Sequence, residues 1–290
     1  MERGVQRWVV DISEWDPSPH DFSSALSLLP PLEQSSVTRF VQMEDRKRAL
    51  VSRLLQYALA HQVLAIPFHE IIINRTLEGK PYLECGHACV DFPNFNFNAS
   101  HHGDYVAIAS EPLCLVGVDI VSVVIPQKET PIEFVKNFSS CFSSFEWDNI
   151  LNAGTSDDIL TEFYRYWCLK EAYVKAIGSS IAYGLDKVEF HHSCWTNISV
   201  NIEGKLMREW RFWLRELGKG HLFSVKPQVS IARGHPRSAT ESYMRTLKQA
   251  EFGEEEYQTA LHLPNAGFVS RTVEQLVTVL QKARDPLNHL

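Results

Sequence analysis

Two carboxylates stand where the surrounding sequence is apolar. Asp119 lies in the run LCLVGVDIVSVV at residues 113–124, whose continuous apolar character is typical of a strand buried in the middle of a sheet. Glu171 lies in TEFYRYWCLKEAYVKAIG at residues 161–178, which has the apolar spacing of a core-facing helix. Charges inside two otherwise apolar elements predict a functional site.

The charges on the helix also have an ordinary explanation. Glu171 and Lys175 have the spacing of an ion pair on a solvated helix face, and the long side chain of Lys170 can extend from the apolar face to solvent. The helix alone leaves both interpretations open. An unpaired buried carboxylate is costly, so we expect Asp119 to meet a metal ion, a cation or hydrogen-bond donors, and we favour the metal ion.

A first turn carries groups that bind phosphates. In NRTLEGKPY at residues 74–82, Arg75 and Lys80 flank Gly79 in a strand, turn, strand pattern. Two cations at the ends of one turn are able to hold a phosphate, although turn charges without such a role are common.

A second turn is predicted in NFNFNASHHGDYVAIAS at residues 94–110. Residues 99–104 are expected to reverse the chain and to place Ser100, His101 and His102 on a loop. Backbone amides, a hydroxyl and an imidazole are suitable donors for a pyrophosphate oxygen. A histidine pair in a turn is also frequent on ordinary surfaces.

Composition limits the classes of function. The chain has 290 residues with a net charge of −7 and no long basic block, so general nucleic-acid binding is not expected. No apolar run has the length of a membrane span, so no membrane partner is expected. Six cysteines without paired spacing and an amino terminus unlike a secretory signal favour the cytosol.

Periodicity predicts alternating helices and strands. In the first half the predicted strands and helices are 8–12, 32–41, 44–64, 70–73 and 105–109. In the second half they are helices at 132–138, 144–151 and 160–177, strands at 186–191 and 196–202, and a hairpin of 209–217 with 221–225. An amphipathic stretch follows at 272–283.

These elements predict an α+β fold of two similar α/β lobes related by pseudo-twofold symmetry. The predicted boundaries are an N-terminal lobe at 1–115, a C-terminal lobe at 116–231 and an extension of the second lobe at 232–290. The lobes would meet along a cleft, with Ser100 and Asp119 on one side and Glu171 on the other.

Three motifs in order resemble the 4′-phosphopantetheinyl transferases, in particular the large two-lobed monomeric type that includes eukaryotic broad-specificity members. They are NFNASHHGDYVAIA at 96–109, VGVDIV at 116–121 and FYRYWCLKEAYVKAIG at 163–178. RTLEGKPYL at 75–83 is similar to the phosphate-gripping turn of that family. The resemblance extends from about residue 31 to residue 225.

The resemblance implies a reaction. It implies a monomeric Mg²⁺-dependent enzyme that moves the 4′-phosphopantetheine arm of coenzyme A to a serine of an apo acyl or peptidyl carrier protein. The products would be the holo-carrier and adenosine 3′,5′-bisphosphate. The physiological carrier, and whether it works in the cytosol or an organelle, stays open.

The resemblance also implies roles for residues. Asp119 and Glu171 would hold Mg²⁺, and Glu171 would be the base for the incoming serine. Lys175 and His101 would neutralise pyrophosphate oxygens. The implied coenzyme A contacts are Arg53, Arg75, Gly79, Lys80, Asn98, Ala99, Ser100, His101 and Lys175.

Two positions depart from relatives, and two other functions remain to be weighed. Val121 stands where bacterial members have an acid, so the resemblance implies that a third protein ligand of the metal is either absent or replaced by water, for which His102 is the candidate holder. Ser36 replaces an arginine for coenzyme A, a role open to Arg39 or Arg53. One alternative is a coenzyme A or carrier-binding module without turnover. The other, an acyltransferase, lacks a nucleophile elbow.

Overall fold

Two sheets, one in each lobe, organise the computed structural model, which describes residues 2–84, 92, 94–123, 128–180, 183–218, 227–247 and 253–284. The strands are β1 (Gln6–Asp11), β2 (Ile73–Arg75), β3 (Pro81–Leu83), β4 (Asn96–His102), β5 (Tyr105–Glu111), β6 (Leu115–Val121), β7 (Val188–Ser193), β8 (Thr196–Ile202), β9 (Lys205–Leu206), β10 (Trp210–Glu216), β11 (Gln228–Gly234) and β12 (Val269–Arg271). The first sheet has the order β12-β1-β5-β4 and the second β10-β11-β6. A hairpin β2-β3 and a small sheet β7-β8-β9 complete the strands.

Helices cover these sheets. They are α1 (Pro19–Ser27), α2 (Pro31–Thr38), α3 (Met43–Leu64), α4 (Pro131–Lys136), α5 (Ser144–Leu151), α6 (Ser156–Ile177), α7 (Glu241–Met244), α8 (Glu254–Leu261) and α9 (Val273–Arg284). The predicted mixture of helices and strands in two lobes is confirmed. None of the described helices has the length and apolar character required to cross a membrane.

Helix α1 was not expected, because its segment reads as a proline-rich break. Pro19 occupies the first turn, where the missing N–H of proline costs nothing, and the Ser18 side chain accepts a hydrogen bond from the backbone N–H of Asp21. Proline therefore starts this helix rather than preventing it.

Helix α6 has clear limits at both ends. Thr155 and Asp158 form a capping box at its start, and Gly178 ends it in the left-handed region with φ of +75°. One face packs into the core of the second lobe with Phe163, Leu169 and other apolar residues. The helix predicted at 160–177 is confirmed and begins four residues earlier, at Ser156, so that it has 22 residues. It packs against β6.

Side chains of β4 take the place of a backbone ladder between the two sheets. Every second residue of β4 accepts a hydrogen bond from β6: Asn96 Oδ1 from Val116 N (3.0 Å), Asn98 Oδ1 from Val118 N (2.9 Å) and Ser100 Oγ from Ile120 N (3.3 Å). The constant offset of 20 residues means that the two strands run parallel. The prediction of a loop at residues 99–102 is wrong, since these residues belong to β4.

Strand β6 is buried without lying in the middle of a backbone-paired sheet. It is the outer strand of β10-β11-β6, and β4 covers its free edge. Its residues Val116, Val118 and Ile120 form a core between the sheets with Val229 and Ile231 of β11. The apolar run at 113–124 reflects this cover by the other lobe.

The end of the chain returns to the first lobe. Strand β12 pairs in parallel with β1, with Trp8 opposite Val269, and Leu276 and Leu280 of α9 enter the core of the first lobe. The assignment of the whole extension to the second lobe is therefore wrong, because its last part completes the first sheet. Strand β11 continues to Gly234, across the predicted boundary at residue 231.

The predicted hairpin at 209–225 is only partly described. Strand β10 matches its first half, and β10 pairs with β11, with Trp210 opposite Gly234. The expected second strand at 221–225 lies outside the described residues.

We expect Gly117→Ala to destabilise the protein by about 3 kcal/mol or more. A Cβ at residue 117 would overlap the carbonyl oxygen of Ala172 and lie 2.7 Å from the backbone nitrogen of Ala176, so α6 would have to move away from β6. Urea unfolding measures the loss. The matched control is Gly267→Ala, which has nothing within 4 Å and should change the free energy of unfolding by less than about 0.5 kcal/mol.

Candidate active site

Asp119 faces the helix that carries Glu171. Side chains alternate between the two faces of a strand. Val116, Val118 and Ile120 of β6 face the core between the sheets, so Gly117 and Asp119 face the opposite way, towards α6. The carboxylate of Asp119 is 6% exposed and forms an ion pair with Lys175 Nζ of α6. The expected partition, with Asp119 and Glu171 on opposite sides of a cleft, is wrong, because both lie on the packed pair β6 and α6.

The Asp119 carboxylate has a second partner across the lobes. Ser100 Oγ of β4 lies 2.9 Å from Asp119 Oδ1 and 3.1 Å from Lys175 Nζ. The cost of burying this acid is therefore offset by a cation and a hydroxyl. The sequence predicted that Asp119 would meet a metal ion, a cation or hydrogen-bond donors. In this structure its partners are the cation Lys175 and the hydroxyl of Ser100.

Glu171 has an unpaired oxygen. Its Oε1 atom is buried and has no hydrogen-bond partner among the described residues. Burial raises the pKa of Glu171, the nearby Asp119 carboxylate raises it further, and Lys175 opposes both. The ion pair of Lys175 is made with Asp119, so the ordinary explanation by a Glu171 to Lys175 pair on the helix is not realised in the described structure.

The two carboxylates form a donor set for a hard cation. The Asp119 carboxylate raises the pKa of Glu171, which indicates that the two acids lie within electrostatic reach of each other. Within the described ranges, no cluster of three or more His, Cys, Asp or Glu side chains could hold a metal ion. Mg²⁺ suits a site of this kind, because it is commonly bound by one or two protein carboxylates while water and phosphate oxygens fill its other coordination positions.

A cleft of about 390 Å³ opens beside these acids. Nine of the predicted site residues line it: Arg53, Arg75, Gly79, Lys80, Asn98, Ala99, His101, Glu171 and Lys175. Ser100 and Asp119 lie behind this wall rather than on it, both about 5% exposed or less. The structure thus brings the predicted residues of three separate motifs to one place.

Two arginines differ in how free they are. Arg75 is exposed on β2, where its guanidinium donates to the carbonyl of Gly79 across the turn (3.3 Å). Arg53 of α3 pairs with Glu33 and donates to Ser36 Oγ, both at 3.2 Å. Burial lowers the pKa of Arg53, and the positive charge of Arg75 lowers it further. Glu33 and Ser36 therefore orient Arg53.

Lys80 is directed into the protein. It is 6% exposed, and its Nζ donates to the carbonyl oxygens of Val116 (3.0 Å) and Lys175 (2.6 Å) and lies 4.7 Å from the ring centre of Tyr243. Burial lowers the pKa of Lys80 to about 7, and Lys175 adds to this shift. In this position its amino group ties the β2-β3 hairpin to the second lobe.

His101 brings a hydrogen-bond donor without a charge. Burial in the cleft wall lowers the pKa of His101 to about 4, although solvent reaches the residue from the cleft mouth, and Lys175, Arg48 and Arg53 act in the same direction. The imidazole is therefore neutral near pH 7. The expectation that it neutralises phosphate charge stays a prediction, since an adjacent anion favours the protonated ring. Burial also lowers the pKa of the neighbouring His102.

Lys170 lies elsewhere. Its fully buried Nζ pairs with Glu146 at 2.7 Å and donates to the carbonyls of Leu185 (2.8 Å) and Val188. Glu146 in turn accepts from the backbone N–H of Phe190 at 2.9 Å. The alternative in which Lys170 extends to solvent is wrong, since this lysine joins α5, α6 and β7 inside the second core.

Two lining residues were missed. Ser52 and Gln56 of α3 are buried, line the cleft and are linked by a hydrogen bond of 3.4 Å. The indication in the sequence is a pair of polar residues four positions apart among the apolar residues of a core-facing helix. They flank Arg53 and extend the polar wall of the cleft.

Comparison with known proteins adds independent findings. Residues 13–113 match the family described as "4′-phosphopantetheinyl transferase, N-terminal", and residues 115–226 match the "4′-phosphopantetheinyl transferase superfamily". The two matches meet at β6.

Individual relatives agree over most of the chain. The L-aminoadipate-semialdehyde dehydrogenase-phosphopantetheinyl transferase of Rattus norvegicus is 33% identical over 227 residues, which cover 76% of this chain and 73% of that protein. A phosphopantetheinyl transferase of Thraustochytrium is 33% identical over 238 residues, with 79% and 81% covered. The 4′-phosphopantetheinyl transferase pptA of Paxillus involutus is 29% identical over 283 residues, with 94% and 100% covered.

We expect the His101 imidazole of the folded chain to stay neutral on acidification to about pH 5. The same residue in the chain unfolded in urea should titrate near the usual value of about 6.5. Because the folded protein binds this proton less tightly, His101 makes the fold less stable as the pH falls from about 6.5 towards 4. NMR of the imidazole protons measures both titrations, and protonation of the folded form near pH 6.5 contradicts the expectation.

Proposed function

Because this chain belongs to the 4′-phosphopantetheinyl transferase superfamily, we propose that the cleft between its lobes transfers the phosphopantetheine arm of coenzyme A to a serine of a carrier protein. The chain is a transferase enzyme, and coenzyme A and carrier proteins are its partners. The products are the holo-carrier and adenosine 3′,5′-bisphosphate. The names of the relatives do not favour a binding module without turnover.

The unpaired Oε1 of Glu171 beside Asp119 is the observation that best supports the assignment of the active site. A buried carboxylate oxygen without a donor fits a cation. We assign Asp119 and Glu171 as the residues that would hold Mg²⁺. The ion supplies, when bound, positive charge to the diphosphate oxygens that become more negative during transfer.

The cleft supplies positions for the rest of coenzyme A. Arg75 and Lys175 are the cations with room to meet phosphate oxygens, and Arg53 contributes a donor from α3. Neutral His101 donates a hydrogen bond. Gly79, Asn98 and Ala99 line the same wall, where small side chains and backbone groups leave space for the nucleotide.

Glu171 is the proposed base. The serine oxygen of the carrier bonds to the phosphorus that bears the pantetheine arm, while the bond from that phosphorus to the bridging oxygen breaks. The serine proton passes to Glu171, directly or through water, and the leaving oxygen keeps the bonding electrons as adenosine 3′,5′-bisphosphate. The raised pKa of Glu171 favours acceptance of this proton.

Further properties are part of the proposal. A chain that carries both lobes has a complete cleft, which supports a monomer, and sedimentation would test it. Location in the cytosol, independence from nucleic acid and membranes, and the boundary between the lobes at residue 115 are likewise proposed. Cell fractionation tests the first of these. A water held by His102 is proposed as the third metal ligand.

We expect Glu171→Gln and Asp119→Asn each to reduce transfer by about 100-fold or more, because each removes charge from the metal site. The assay is mass spectrometry of an apo carrier incubated with coenzyme A and Mg²⁺. The matched control on α6 is Asp157→Asn, an exposed residue of the first turn, which should keep its rate within about twofold. Near-normal rates in either acid variant would refute the metal assignment.

Arg75→Ala should raise the KM for coenzyme A by about tenfold and leave kcat within about twofold. The reason is that a hydrogen bond to a charged phosphate remote from the reacting atoms contributes to binding of substrate and transition state alike. Lys187→Ala, which removes an exposed cation paired with Glu203 at 3.1 Å, is the control and should change neither constant. A fall in kcat without a change in KM would place Arg75 at the reacting centre instead.

A further inference from the structure

Ser100 has used its full hydrogen-bonding capacity inside the protein. A hydroxyl has one proton to donate and two lone pairs to accept. Ser100 Oγ donates to Asp119 Oδ1 (2.9 Å) and accepts from the backbone N–H of Ile120 (3.3 Å) and from Lys175 Nζ (3.1 Å). The residue is 5% exposed and lies behind the cleft wall. No proton or lone pair is left for a phosphate.

These bonds fix the orientation of the Asp119 carboxylate. Among the described residues, both hydrogen bonds to this carboxylate, from Ser100 and from Lys175, fall on Oδ1. Oδ2 is therefore the oxygen left for another ligand. Rotation of the carboxylate would break the bond from Ser100, whose position is itself set by the backbone N–H of Ile120.

We propose that Ser100 is a positioning residue that holds the Asp119 carboxylate in the orientation needed for the metal, and that its hydroxyl makes no hydrogen bond to coenzyme A. This inference rests on the proposed function for the identity of the metal. It differs from the role as a coenzyme A contact that the sequence suggested for Ser100. Because Ser100 belongs to the first lobe and Asp119 to the second, the metal site is complete only when β4 and β6 lie side by side.

The structure offers a matched control for the effect on the fold. Asn96 occupies the equivalent place in the same side-chain ladder, where its Oδ1 accepts from Val116 N at 3.0 Å. It does not line the cleft or contact Asp119. Asn96→Ala therefore weakens the contact between β4 and β6 without altering the carboxylate.

The experiment compares Ser100→Ala, Ser100→Thr and Asn96→Ala in the full chain. Mn²⁺ binding is followed by electron paramagnetic resonance, coenzyme A binding by calorimetry in EDTA, and transfer by the carrier mass assay. We expect Ser100→Ala to weaken Mn²⁺ binding by about tenfold, the effect of one hydrogen bond to a charged group. It should lower kcat by about tenfold or more and change coenzyme A affinity by less than about twofold.

The two other variants separate orientation from stability. Ser100→Thr restores the hydroxyl and should recover most of the Mn²⁺ affinity. Asn96→Ala should lower the urea midpoint and leave Mn²⁺ affinity unchanged. Equal losses of Mn²⁺ affinity in Asn96→Ala and Ser100→Ala would overturn the proposal, as would a tenfold loss of coenzyme A affinity in Ser100→Ala with unchanged Mn²⁺ binding.

Failure of the proposed function gives a different result. If the wild-type chain binds Mn²⁺ and coenzyme A but adds no mass to any carrier, the transfer activity is refuted, while the comparison of Mn²⁺ affinities still tests Ser100. A wild-type chain that binds no Mn²⁺ would overturn both the metal site and the role of Ser100.

Discussion

The buried carboxylate of Asp119 sets the conditions for the site around it. An acid that is 6% exposed needs partners, and it finds them on two elements, Lys175 on α6 and Ser100 on β4. Lys175 reaches the acid only because Gly117 has no side chain, which lets the backbone of α6 lie against β6. The same close approach brings Glu171 beside Asp119. The absence of a side chain at Gly117 and the ion pair of Asp119 with Lys175 thus determine where Asp119 and Glu171 lie.

The contact between lobes is polar as well as apolar, and this makes it specific. The ladder from β4 to β6 uses side-chain acceptors, so a shift by one residue would leave backbone N–H groups unpaired inside the protein. A second buried network joins Glu111 to Arg7 and to Arg233, the latter with Nε at 2.9 Å from Oε1. Breaking such a network by removal of one partner leaves an uncompensated charge. Both networks join elements of the first lobe to elements of the second.

The sequence could locate the acids but not their partners. Asp119 and Glu171 were predictable because each interrupts a long apolar pattern. The strand at residues 99–102 was missed because Asn98, Ser100 and the following Gly103 are residues typical of turns, and their compensating partners are backbone groups of β6 that no pattern displays. The return of β12 to β1 was missed for the same reason. A three-residue strand that pairs about 260 positions away leaves no local trace.

Lysines show most clearly why residue type alone does not assign a role. Lys80, Lys170 and Lys175 all lie in the predicted motifs, yet their partners differ. Lys80 binds backbone carbonyls, Lys170 pairs with Glu146, and Lys175 pairs with Asp119. The role of each lysine depends on how deeply it is buried and on which acid lies nearest, and both are properties of the folded chain.

The cations that do reach the cleft repel one another. Lys175 lowers the pKa of Lys80 and of His101, and Arg75 lowers the pKa of Arg53, in each case adding to the effect of burial. The folded chain therefore holds these groups together at a cost, offset by packing elsewhere. An anionic ligand that enters the cleft relieves this repulsion as well as forming its own contacts.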